Sequence, residues 1–324
     1  MPRIIPRILT GVLLSALVLV AHGQVFVTNT YSPFSVGEFS PSGTLVNATL
    51  LNGTNSSLGL NPYGIAVSGS TLFVANYGLG TVGEYTTSGG LINSTLVTGL
   101  ANPTGIAVSG STLYVVSNIT ASVTAYTVSG NSATPLAGFT TISGLGNSLG
   151  IAVSGNNLYV SNYADSFGNT PNTGSISVYD AMTGATLNLN AVSGLDAPVG
   201  LAASGTTVYA AMNWGQSVGA YTISGSNLTN GNNAFITTGY GNGAYGVALG
   251  SSGLYVLTQN SYGGGTIGLY NPTTGVGGII DSSYLSYPVG IAAINAVAVP
   301  EPATWSTIAG ALGLLVVGLR RRQR

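Results

Sequence analysis

Between Gln24 and Val299 the carboxylates are Glu38, Glu84, Asp165, Asp180, Asp196 and Asp281, and no histidine, cysteine, lysine or arginine accompanies them. That inventory limits the chemistry open to the chain. Gly146-Asn-Ser148-Leu-Gly150 and Gly215-Gln-Ser217-Val-Gly219 have the spacing of a nucleophile elbow, in which a strained strand-to-helix turn presents serine to a histidine base. The sole histidine, His22, lies outside this stretch, and neither match leads into a helical pattern, so neither serine is expected to act. Three Gly-x-Gly-x-x-Gly strings, at 78–83, 241–246 and 263–268, each run into a strand rather than a helix whose N-terminus could hold pyrophosphate. Nucleic acid is excluded as a partner, because phosphate contacts need Lys or Arg. No catalytic residue is expected.

Oxygen ligands are more plentiful. The segment Tyr163-Ala-Asp165-Ser-Phe-Gly-Asn169-Thr-Pro-Asn172-Thr-Gly174 offers Asp165, Asn169 and Asn172 as weak candidate calcium ligands. One carboxylate is too few for a tight site and Asx-rich turns share this composition, so no cofactor is expected. Glu38 and Glu84 occupy the same repeat position and are read as a shared solvent-facing register. An acid pair would need a set separation across a substrate. What remains is aromatic and amide: Tyr63, Tyr77, Tyr163, Trp214 and Tyr262 are the candidate ligand face, beside Asn76, Asn118, Asn213, Gln259 and Asn260. Asn61, Asn102, Asn147 and Asp196 precede the strands that follow. Aromatic planes with amide donors and no cations suit neutral sugars or peptides, and turn chemistry accounts for the same residues.

The elements that must position these residues come from a repeat. Asn61-Pro-Tyr-Gly-Ile-Ala-Val-Ser-Gly-Ser-Thr-Leu-Phe-Val-Ala-Asn76 returns from Asn102 to Ser117 and again around Gly150 to Val160, with weaker copies from Gly200, Gly246 and Gly290. The leading glycines are 41 to 50 residues apart, the period of propeller blades. One period reads as four short strands: Gly-Ile-Ala-Val (A), Leu-Phe-Val-Ala (B), Val82 to Tyr85 (C) and Leu91 to Val97 (D), with Ser-Gly turns after A and C. The small residues of strand A fit an innermost position, where bulk would clash. Val25 to Asn29, Val36 to Phe39 and Thr44 to Leu51 supply B, C and D without a preceding A, while Tyr287 to Ala293 supplies an A with nothing after it. The fold expected is all-β, a six-bladed propeller of residues 24–299 whose first and last strands complete one blade and remove its open edges.

Pro-x-Gly-Ile-Ala-Val followed by Leu-Tyr-Val-x-Asn resembles NHL-type six-bladed propeller repeats over most of residues 25–294. Those repeats commonly carry Asp where this chain has Ser68, Ser109, Ser154, Asn76 and Asn162, so the resemblance implies the fold and no activity.

Two end segments set the destination. Arg3 and Arg7, the apolar run Ile8 to Val20 and Ala21-His22-Gly23 read as a signal peptide, 1–23, with mature protein starting at Gln24. Pro300-Glu301-Pro302, an apolar run from Ala303 to Leu319 and the basic tail with Arg320, Arg321 and Arg322 form a sorting segment, 300–324, with one transmembrane helix. This tail resembles the PEP-CTERM segment of Gram-negative bacteria. The resemblance implies an exosortase-like processing enzyme, transient inner-membrane anchoring, and a place at the outer surface or in the extracellular matrix with exopolysaccharide or an envelope protein as partner. All six arginines lie in the two end segments, leaving residues 24–299 with six uncompensated acids. The function expected is a non-enzymatic binding or structural surface; the alternative is a divalent-metal-dependent propeller hydrolase or lactonase, which needs several acids converging on the central channel.

Overall fold

The computed structural model describes residues 24–54, 57–59, 61–163, 172–239, 241–281 and 284–294. The signal peptide, the sorting motif with its helix and basic tail, and Asp165 and Asn169 lie outside them. Among the described residues no helix is long and apolar enough to cross a membrane.

Six four-stranded antiparallel sheets make up the described chain; in five of them strands A to D follow chain order from the axis outward, and in the sixth the last strand of the chain is strand A, inside the first three. The innermost strands are Pro62–Ser68, Pro103–Ser109, Ser148–Ser154, Pro198–Ala203, Asn242–Gly250 and Pro288–Ala293, in blades one to six. Each packs against the next, and the sixth returns to the first, so the ring is closed. Blade six is shared between the chain ends, with Phe26 opposite Ala292 and Val27 opposite Ile291 in an antiparallel pair. The expected clasp is therefore present.

Local sequence dictates the hairpins. Gly69, Gly110 and Gly155 sit at φ of 57°, 57° and 58° in the two-residue A–B turns, a left-handed conformation that glycine adopts without a Cβ clash. Alternation then sends side chains to both sheet faces, and each face meets a neighbouring blade. The core is accordingly six wedges between blades, such as Phe26, Val36, Leu51, Leu72 and Tyr85 between blades six and one. Burying one such side chain stabilises the fold by about 1.5–3 kcal/mol. Tyrosines of strand B staple one blade to the C–D turn of the next: Tyr114 Oη donates to Ala181 O at 2.9 Å, Tyr209 Oη to Pro272 O at 2.6 Å and Tyr255 Oη to Pro41 O at 2.9 Å.

The strand A glycines close the ring by a different means. A Cβ on Gly64 would lie 2.1 Å from Thr104 O, on Gly105 2.6 Å from Leu149 O, on Gly150 1.9 Å from Val199 O, on Gly200 2.6 Å from Tyr245 O, and on Gly290 2.3 Å from Tyr63 O. Gly246 repeats the contact more loosely, 3.3 Å from Val289 O. In every case the carbonyl belongs to the residue before the next blade's glycine. Glycine recurs because six backbones approach one another around the axis more closely than any side chain permits.

One expectation is overturned. Glu38 and Glu84 are not solvent-facing; they are 8% and 4% exposed. They pair in register with Phe26 and Phe73, and so point into the wedges between blades. A propeller sheet is covered on both faces, which leaves strand C no solvent side.

Candidate functional site

The loop face is built at the start of each strand A. Tyr77 N donates to Asn61 O at 3.0 Å, Asn118 N to Asn102 O at 3.1 Å, Tyr163 N to Asn147 O at 2.8 Å and Asn213 N to Ala197 O at 3.0 Å, tying each B–C loop to the segment that precedes strand A. Asn61 and Asn102 take φ of 54° and 53°, so these two asparagines serve the turn. Asn76 is also structural: it is 1% exposed, its Oδ1 accepts Gly59 N and its Nδ2 donates to Thr81 Oγ1.

Tyr63, Tyr77 and Tyr163 are brought together at the mouth of the central channel. The Tyr63 and Tyr77 rings lie 5.8 Å apart. The Tyr63 phenol is held well above the ordinary tyrosine range, first by burial and then by the proximity of Tyr245, Tyr77 and Tyr163. Tyr245 is an addition that the sequence reading missed, although Tyr245-Gly246 stands in the same repeat position as Tyr63-Gly64.

Below this mouth the channel is narrow, about 70 Å³. Its wall is the strand A glycines with the residues on either side of them, aliphatic but for Tyr63, Tyr245 and Thr104. At about 10–15 Å³ for each water, such a space takes a few waters and no sugar or lactone. None of the described carboxylates reaches it. Glu38 and Glu84 are in the wedges. Asp180 caps a C–D turn through Thr183 Oγ1 and the N–H groups of Thr183 and Met182, and these bonds lower its pKa. Asp196 Oδ1 accepts Asn172 N at 2.9 Å, and Asp281 ends the outer strand of blade five. Among the described residues no three His, Cys, Asp or Glu side chains form a metal cluster.

Beside the channel mouth lies a groove of about 520 Å³ between blades four and five. Asn213, Trp214 and Gln216 form one wall, Gln259, Asn260 and Ser261 the other, and Tyr245 and Tyr287 the inner end. Trp214 is 43% exposed, and the Tyr287 ring stacks on Tyr31 at 5.2 Å. Gln216 Oε1 accepts Gly241 N at 3.2 Å, and Asn260 Oδ1 accepts Tyr262 N and Gly264 N at 3.0 Å each. These bonds occupy the carbonyl ends and leave the NH₂ ends as donors. The groove thus offers aromatic faces and amide donors with no formal charge. Trp214 belongs to it, whereas Tyr262 is 94% exposed and lies outside its lining. Gln216, Tyr245 and Tyr287 could not be placed there from sequence, since three consecutive blades bring them together.

No family model matches this sequence, and no curated protein matches it. Its fold is similar to that of solved propellers of low identity. A chain from a nidogen–laminin complex matches with a TM-score of 0.60 at 13% identity, over 85% of this chain and 98% of that one. A proposed 6-phosphogluconolactonase from Bacteroides uniformis matches with a TM-score of 0.54 at 14% identity, over 80% and 82%. A gluconolactonase from Xanthomonas campestris matches with a TM-score of 0.51 at 18% identity, over 67% and 75%. At these identities the likeness concerns the fold alone, a β-propeller, which in this chain has six blades.

Proposed function

We propose that this chain is an exported, non-enzymatic propeller of the cell envelope or extracellular matrix, and that its loop face binds a neutral polysaccharide. The observation that carries this reading is the groove between blades four and five: Trp214 and Tyr287 supply apolar planes, Gln216, Gln259 and Asn260 supply amides, and no charge intervenes. Sugar rings present C–H faces and hydroxyl oxygens, which such a groove complements. The signal peptide and the PEP-CTERM-like tail support export, with an exosortase-like enzyme acting at Pro300-Glu301-Pro302. The test is binding of the exported protein to a panel of neutral and acidic glycans. Retention of neutral glycans, weakened about tenfold in Trp214→Ala with the melting temperature unchanged, supports the reading; equal retention by the variant sinks it.

A second reading, a metal-dependent lactonase, draws support from the two lactonase-type propellers among the structural neighbours. Against it stands a channel wall of glycine and aliphatic residues without a carboxylate. Hydrolysis of gluconolactone that depends on an added divalent cation would establish that reading instead.

A further inference from the structure

One carboxylate in the body has been given an unusual neighbour. Glu38 is 8% exposed, and its Oε1 accepts a hydrogen bond from the side-chain amide of Gln24. Gln24 is itself fixed in the clasp, because its carbonyl accepts Ile294 N at 2.9 Å. The fold does not require an acid in this register: the equivalent positions of blades two to five hold Ala125, Val178, Ala220 and Leu269. Gln24 is also the residue at which the mature chain is expected to begin, and residues 24–299 contain no cationic side chain.

We infer that the α-ammonium created at Gln24 on leader removal is the partner of Glu38, an ion pair that locks the closing blade once the protein has been processed. The inference rests on the export reading above. In the cleavage step, water adds across the Gly23–Gln24 peptide bond: its oxygen completes the Gly23 carboxylate, and its two protons convert the amide nitrogen into an ammonium. That nitrogen belongs to the residue already touching Glu38, and covalent reach keeps it within about 5–6 Å of the side-chain amide. A full charge on the residue that already holds Glu38 adds a Coulomb attraction to the neutral amide bond it joins. Maturation thereby supplies the one cation of the body at the point where its two ends meet.

The chain contains no lysine, so an amine-selective acetylating reagent applied to protein beginning at Gln24 modifies the α-amine alone. Expected is a melting temperature about 2–4 °C higher for the free-amine form than for the acetylated form at pH 7. Pairing raises the folded pKa of the amine above its unfolded value of about 7.7–8.0. The advantage is therefore complete below that value and is lost as pH rises through the folded pKa. Tyr85 and Tyr255 face blade six from its neighbours, and Asp281 lies on the outer strand of blade five; being common to both forms, they cancel in the difference. In Glu38→Gln and Glu38→Leu the difference should vanish. Equal melting of the two forms, or a difference that persists in both variants, overturns the inference. So does a native amino terminus closed by loss of ammonia from Gln24. A native terminus at any other residue overturns it as well, through the cleavage site, and leaves the export reading standing.

Discussion

The channel wall and the groove beside its mouth are only one loop apart, yet they are built on opposite rules. The wall repeats: each blade contributes a glycine between two bulkier residues, and the result is a tight ring with room for a few waters. The groove keeps the loop positions of the repeat and changes their side chains: Asn213-Trp214-Gly215-Gln216 stands where blade one has Tyr77-Gly78-Leu79-Gly80 and blade two has Asn118-Ile119-Thr120-Ala121. Repetition is what a closed ring needs, and individuality is what recognition needs. Under the proposed function the axis serves closure and the loop face serves binding.

Breaking the ring should have the largest effect. Gly150→Ala places a methyl 1.9 Å from Val199 O, a backbone atom that cannot move aside, and should cost about 3 kcal/mol or more. For a domain of this size that is a loss of about 6–12 °C in melting temperature by scanning calorimetry. Gly205→Ala, where a Cβ meets nothing within 4 Å, is the matched control and should melt with the wild type.

A buried carboxyl in the interior sharpens the contrast. Glu84 Oε2 is buried without a hydrogen-bond partner among the described residues, and burial raises the carboxyl pKa. A carboxyl whose folded pKa is raised contributes most favourably below its unfolded value of about 4.3, and that contribution is lost as pH climbs through the folded pKa. Glu84→Leu, which installs the residue type found at Leu269 in the same register, should stabilise the protein by about 1–3 kcal/mol at pH 7. The gain should shrink toward pH 4. Equal gains at both pH values would remove the carboxyl from the account.

Smaller changes probe the staples and the groove. Trp214→Ala should weaken glycan binding about tenfold by titration calorimetry while melting within about 1 °C of the wild type. Tyr114→Phe removes the bond to Ala181 O and leaves that carbonyl unpaired, a loss of about 1 kcal/mol in chemical denaturation. If Trp214→Ala instead melted as Gly150→Ala does, the division between a structural axis and a binding face would fail.

Much of this was legible in the chain. The period of the Gly-Ile-Ala-Val segment announced blades, and the unmatched Val25–Asn29 and Pro288–Ala293 announced the clasp, because a strand without its partner must find one. Tyr63, Tyr77 and Tyr163 were legible as residues of one face, since the repeat puts the B–C loops that hold Tyr77 and Tyr163 at the same end of each blade as the entry to strand A that holds Tyr63. Glu38 and Glu84 were misread, because alternation along one strand shows two sides without telling which side is wet. Asn76 looked like a ligand residue until its bonds to Gly59 and Thr81 showed it holding two loops together.

Sequence alone determined the number of blades, the order of strands within each and the way the ends meet, because those follow from local periodicity and from glycine at fixed intervals. Only the tertiary structure decided that the glycines face the next blade's carbonyls, that Gln24 touches Glu38, and that Trp214 and Tyr287 share one groove. The glycine and groove contacts join residues from different blades, whose separation is set by how closely six twisted sheets pack around an axis, and the Gln24 contact depends on the register of two strands within the closing blade; no stretch of sequence encodes either by itself.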